Sequence, residues 1–107
     1  MLPFIIAMNE ILLPEYNDQF LDQFDQEKQW LDSIETRVNE LLDSDPGLLF
    51  SHLYRLDVEE HILLAILKHT SAEDLPKAIS AEIWKRQKAR AISRRNHPQN
   101  LILDSDY

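Results

Sequence analysis

The sequence predicts an all-α protein, a helical bundle of four main helices in a single domain spanning 1–107. Three observations point there. Of 107 residues only one, Gly47, is glycine, where average usage supplies about seven, so tight-turn folds and glycine-rich phosphate cradles lack their material. Apolar residues recur at helical spacing through most of the chain. Proline and Asp/Ser clusters punctuate that pattern around positions 14, 43–46, 57–60, 71–76 and 96–98, where helices would start and stop. A chain of 12.6 kDa accommodates one core, and surface scaling puts about two thirds of its unfolded surface within reach of burial.

Residues 1–13, MLPFIIAMNEILL, are mostly apolar, but they lack a basic flank, carry Pro3 and Glu10, and are too short to span a bilayer. They read as neither a secretion signal nor a membrane span, which makes the cytoplasm the expected location and excludes the membrane as a partner. The segment is expected as a short buried helix or arm over a core edge; pairing with another subunit is the alternative.

From Tyr16 to Asp43 the pattern predicts one long acidic helix. Phe20, Phe24, Leu31, Ile34, Val38 and Leu41 fall at the a and d positions of a heptad register interrupted only by Glu27, and the b, c and f positions are polar throughout. Asp43-Ser44-Asp45-Pro46 ends it, because a residue before proline avoids the α region. Twenty-eight helical residues span ~42 Å, against a diameter of about 34 Å for a compact domain of this size. The helix therefore either breaks near Glu27–Gln29 or overhangs and is covered by a second copy. A homodimer is the preferred reading, with Phe20, Phe24 and Leu31 as candidate self-association residues.

Asp45 before Pro46 suits the start of a second helix, whose face carries Leu48, Leu49, His52, Leu53 and Leu56, flanked by Phe50 and Tyr54. Asp57-Val58-Glu59-Glu60 reads as a capping box opening a third helix through about His69. Its LLAIL stretch is apolar around much of its circumference, so this helix is expected to be the most deeply buried. Ser71-Ala72-Glu73-Asp74 caps a fourth, with Pro76 in the first turn, a core edge of Ala78, Ile79 and Ile83 that Ala89 and Ile92 continue, and an end near Arg95. Residues 96–107 are expected as a loose tail in which Leu101-Ile102-Leu103 offers a docking strand.

Charge is unevenly placed. Residues 1–84 carry 17 acidic and 5 basic side chains, whereas residues 85–95 carry 6 basic and no acidic ones. Trp84, Lys85, Arg86, Lys88, Arg90, Arg94 and Arg95 are accordingly the candidate partner-binding residues. Three occupants compete for them: acidic groups of this chain's own first helix, an acidic protein partner, and nucleic acid, for which Trp84 with Arg86 and Arg90 would grip backbone or a stacked base. The overall charge of −8 disfavours long-range attraction to nucleic acid.

The absence of cysteine removes disulfides, thiolate chemistry and Cys-type zinc sites, and fits a reducing compartment. His52, His61, His69 and His97 form no H-E-x-x-H, and no Glu stands three residues before any of them. Ser51 beside His52 is mere adjacency, because a catalytic triad is assembled in space with an oriented third group. No enzyme activity, metal or cofactor is expected. A small-ligand pocket among Trp30, Trp84 and Tyr54 lacks a converging polar set.

The stretches Leu53-Tyr54-Arg55-Leu56-Asp57-Val58-Glu59-Glu60 and Ile83-Trp84-Lys85-Arg86-Gln87-Lys88-Ala89-Arg90 resemble a pattern in small uncharacterised bacterial all-helical proteins, over the C-terminal half of the chain. The resemblance implies a bacterial cytoplasmic protein with Arg55 and Asp57 at a helix junction and the basic helix packed nearby. It carries over no functional residue. The expected function is a non-catalytic protein–protein interaction or scaffold module that self-associates; the alternative is a nucleic-acid-associated regulator using the basic helix.

Overall fold

The computed structural model describes residues 13–97, and the expected arm and tail lie outside them apart from Leu13, Asn96 and His97. A single 3-10 turn, Asp18–Leu21, precedes four helices: α1 (Phe24–Ser44), α2 (Pro46–Arg55), α3 (Glu60–His69) and α4 (Leu75–Asn96). The fold is an all-α bundle. Long helices α1 and α4 pack on each other, α2 sits against α1, and α3 leans on α4. Between them lies a core of Trp30, Ile34, Val38, Leu41, Leu49, Leu53, Ile79, Ile83 and Ala91, closed at its edges by Leu13, Tyr16 and Val58.

The long helix expected over 16–43 is shorter at its N-terminal end. It breaks at Asp22–Gln23, five residues before the weak point read from the sequence, and the preceding chain folds back over α1. Trp30 Nε1 donates to the Pro14 carbonyl at 3.0 Å, a contact that a continuous helix would separate by about 24 Å. The reversal stacks Tyr16 edge-on against Phe20 and Trp30, with ring centroids 5.2 and 5.0 Å apart. Burial of these aromatics and a partner for the indole N–H outweigh the few helical hydrogen bonds forgone. Asn17 caps the 3-10 turn, its side-chain oxygen accepting from Gln19 N at 2.9 Å. With 21 residues α1 spans about 32 Å, within the diameter of a compact domain, so the overhang that pointed to a second copy is absent.

The buried stripe of α1 is Glu27, Trp30, Ile34, Val38 and Leu41. Trp30, at a heptad g position, turns the stripe away from Leu31, which is half-buried, and from Phe24, which is 77% exposed. Glu27, read from the sequence as an interruption, belongs to the core.

Asp45 caps α2 as expected, its Oδ1 accepting from Leu48 N at 3.1 Å, with Pro46 in the first turn. The far end corrects the sequence reading. Asp57 does not cap α3; it ends α2 in the left-handed region at φ 62°. Val58 N donates to Leu53 O and Asp57 N to Tyr54 O, the paired bonds of a Schellman motif, and Leu53 and Val58 supply its buried apolar contact. Helix α3 therefore starts at a Glu59 N-cap that makes no side-chain capping bond.

Helix α3 is not the most buried element: none of its residues is buried. Ile62, Leu63 and Ile66 are half-covered, while Leu64 and Leu67 are 57% and 37% exposed. An apolar circumference needs neighbours on every side, and four helices leave α3 on the outside of the bundle with α4 as its main support. In α4 the core edge runs through Pro76, Ile79, Ser80 and Ile83 and then to Ala91, in place of the expected Ala89 and Ile92, both exposed. Ser80, buried in that edge, satisfies its hydroxyl by donating to Pro76 O at 2.6 Å.

Candidate functional site: a charged joint and an apolar groove

The basic half of α4 lies across the start of the described chain, and its cations meet acids of this chain. Arg94 holds Asp18 through both carboxylate oxygens at 3.1 and 2.6 Å, and Arg95 holds Asp22 in the same way at 3.0 and 2.6 Å. Such paired bonds suit the planar guanidinium. They hold both carboxyls below the usual carboxylate range and push both guanidinium pKa values up. Arg90 reaches Asp57 at 3.0 Å, which brings the basic helix onto the α2–α3 junction. Lys88 lies 3.4 Å from Glu27 and sits 4.9 Å over the Trp84 ring. Lys85 stands 3.9 Å from Glu82, largely exposed, and Arg86 makes no ion pair among the described residues. The acids that meet the C-terminal arginines come from the 3-10 turn and the residue after it, not from the long helix itself.

Glu27 joins the N-terminal segment, α1 and α4. Its Oε2 accepts from Tyr16 Oη at 2.7 Å and from Trp84 Nε1 at 2.8 Å, with only 4% of the residue exposed. Burial alone would push this carboxyl up. The bonds from Trp84 and Tyr16 and the Lys88 charge outweigh burial and hold it below its ordinary value. The same contacts act oppositely on Tyr16, whose hydroxyl is pushed well up by burial, then by its bond to Glu27 and that residue's charge. Trp84, a candidate for gripping a partner, thus has its indole N–H committed inside the fold. An ionised, bonded carboxylate of this kind is a structural joint.

The apolar surface lies elsewhere. Between α2 and α3 lies an open groove of ≈180 Å³ lined by Phe50, Tyr54, Val58, Leu63, Leu64 and Leu67 together with the charged Glu60. Tyr54 is 66% exposed, so three of the five large apolar side chains exposed on the described surface line this one groove. Acids Glu59 and Glu60 stand at the start of α3, and Lys68 and His69 at its end. Each sign complements the helix dipole at its own terminus.

A second apolar cleft, of ≈380 Å³ on α4 around Ala81, Trp84, Ala89 and Ile92, is rimmed by Glu82, Lys85 and Lys88 and holds one widely exposed large apolar side chain, Ile92, against three in the groove. A shallow cleft of ≈450 Å³ between α1 and the start of α4 is lined by Asp32, Glu35, Thr36, Asn39, Glu73 and Pro76, all but the last polar. Trp30, Trp84 and Tyr54 do not share a pocket: Trp30 faces Leu13 and His52, Trp84 faces Lys88 and Ile92, and Tyr54 faces α3. Among the described residues no group of three or more His, Asp or Glu is placed to hold a metal ion, and no described helix is long and apolar enough to cross a membrane.

Of the three residues expected to mediate self-association, Phe20 packs in the aromatic cluster, Leu31 is half-covered, and Phe24 alone is widely exposed. Sequence reasoning missed Tyr54, Leu64 and Leu67 as surface residues. For Leu64 and Leu67 the signal is present in LLAIL between two acids and two bases, but apolarity alone does not distinguish a buried helix from an exposed apolar face. Comparison of the chain with protein-family models, curated proteins and solved structures finds no match.

Proposed function

We propose that this chain is a non-catalytic protein–protein interaction module that docks through the α2–α3 groove. The observation that carries this reading is the concentration of Tyr54, Leu64 and Leu67 along one apolar depression of a small, highly charged molecule. Covering a large apolar side chain contributes ~1.5–3 kcal/mol before ordering costs, so three such residues in one groove supply more driving force for association than Phe24 or Ile92, each of which stands apart from the other exposed apolar side chains. The cysteine-free composition supports a reducing, cytoplasmic setting.

The nucleic-acid reading draws less support. Arg90, Arg94, Arg95 and Lys88 are engaged with carboxylates of the same chain, which leaves Lys85 and Arg86 as the cations most open to phosphate. Two such contacts predict weak binding that about 200 mM salt abolishes. A shift of random duplex that survives this salt concentration would restore it.

The docking reading is tested by placing a photo-cross-linking side chain at position 64, and as a control at position 24, in the full chain inside cells. Both sites are exposed, so labelling alone does not separate them. A discrete adduct from 64 and none from 24 is the expected outcome. No adduct from 64 would refute docking through the groove.

A further inference from the structure

We infer that the occupant of the groove is α3 of a second copy of this chain, packed antiparallel about a two-fold axis at Leu64. This rests on the groove being a docking face, and it adds the identity and orientation of the partner. Along α3, Glu60, Leu64 and Lys68 stand at i, i+4 and i+8, one stripe of the helix, with Leu67 beside them, and all four are exposed. An axis through Leu64 brings residue 60 of one copy opposite residue 68 of the other. Glu60 then meets the partner's Lys68, the reciprocal pair closes the other end, and the leucines pack in between. A two-fold contact needs a surface that complements itself, and this stripe does so: acidic at one end, apolar at the centre, basic at the other.

The parallel arrangement is disfavoured by the same residues, because it sets Glu60 against Glu60 and Lys68 against Lys68. The charge of −8 also works against indiscriminate self-association, so a contact between copies must be locally neutral. The α3 stripe meets that condition, whereas Phe24 has Asp25 next in sequence, Asp22 two residues before it and an acidic first turn around it. Tyr54 and Phe50, on the far wall of the groove, close over the incoming helix in the manner of helix-in-groove recognition.

The contact is small. A ten-residue helix is about 15 Å long, and with the α2 wall the covered area falls short of the ~800 Å² per partner of a standard interface. The dimer is therefore weak, with a dissociation constant of about 10–100 µM.

Sedimentation equilibrium of the full chain from about 5 to about 500 µM, bracketing that constant, is the primary measurement. A reversible monomer–dimer equilibrium is expected. Glu60→Lys and Lys68→Glu each weaken it about tenfold, since each variant turns two attractive exposed pairs into repulsive ones. The double reversal, Glu60→Lys with Lys68→Glu, recovers most of the affinity. Residues 60 and 68 are two turns apart within one copy, so recovery reports contact between copies. Circular dichroism of each variant checks that the helices persist.

Leu64→Cys in this cysteine-free chain adds a positional readout, since a residue on the axis faces its own copy. Its oxidation is expected to give a disulfide-linked dimer much faster than oxidation of Phe24→Cys. A chain monomeric throughout, or a double reversal no better than either single one, overturns the inference. If a photo-cross-linker at 64 then captures a different protein, the docking face stands and only the second copy fails. If it captures residues 1–12 of its own chain, or nothing, both fail.

Discussion

Replacing Glu27 by alanine removes the acceptor on which three parts of the chain converge, and the loss can be estimated from its contacts. Two hydrogen bonds to an ionised group are worth about 1.5–3 kcal/mol each, but relieving the buried carboxylate of its desolvation cost returns part of that sum. Truncation also orphans the Tyr16 hydroxyl in a buried site. The Trp84 N–H is only half-covered and regains water more readily. A net destabilisation of about 3–4 kcal/mol follows. At ~4–8 °C per kcal/mol for a domain of this size, Tm falls by about 12–32 °C.

Thermal and urea unfolding followed by far-ultraviolet circular dichroism measure this, with Trp fluorescence as a second probe. Glu27→Gln keeps an acceptor oxygen and should lose about half as much. Acid supplies a second check. The Glu27 carboxyl is held below its ordinary 4.5, so its contribution is full above about pH 4.5 and is lost as pH falls through the lower folded-state value. The stability gap between the wild-type protein and Glu27→Gln should therefore narrow on acidification over that window. Melting of Glu27→Ala at pH 7 within about 4 °C of wild type would refute the description of this residue as a joint.

Other perturbations test separate features. Asp57 occupies φ 62°, so Asp57→Gly relieves left-handed strain of about 1 kcal/mol while losing one exposed ion pair to Arg90; urea midpoints should be unchanged or slightly raised. Asp57→Val at the same position should lower the unfolding free energy by about 1–2 kcal/mol, and the urea midpoint with it. Leu53 is fully enclosed and anchors the Schellman contact, so Leu53→Ala should cost about 2–5 kcal/mol, and Leu53→Asp should abolish the cooperative transition in calorimetry. His52 has a buried Nδ1 without a hydrogen-bond partner, and burial, then the nearby Arg55 charge, pushes its pKa below 6.5. Its neutral form favours the fold above pH 6.5, and stability drains away as pH falls through the lower folded-state value. His52→Leu should flatten that part of the profile, which denaturation between pH 7.5 and 5, spanning the ordinary histidine range, would reveal.

The fold class and most element boundaries were legible in local residue patterns. Caps and prolines act within a few residues of themselves: Asp45-Pro46 opens α2 and Pro46 closes off α1 because their effects on backbone dihedrals need no distant partner. Ile34, Val38, Leu41, Leu49, Leu53, Ile79 and Ile83 were legible as core for a similar reason, since a polar opposite face leaves an apolar stripe one direction to point.

Pairings across the chain decided the rest. The break before α1 depends on Trp30 meeting Pro14 and on Tyr16 meeting Glu27, contacts of 16 and 11 residues' separation that no local periodicity encodes. Whether Glu27 interrupts a seam or anchors one depends on Trp84, 57 residues away. Arg94 and Arg95 form a basic patch in sequence and an internal clasp in space, because Asp18 and Asp22 arrive opposite them only after the chain has folded back. For α3 the amino-acid pattern determined an oily helix with charged ends, but an apolar surface records only that water is unfavourable there. Which neighbour covers it depends on how many helices the bundle has to spare, and the four described helices leave Leu64 and Leu67 open.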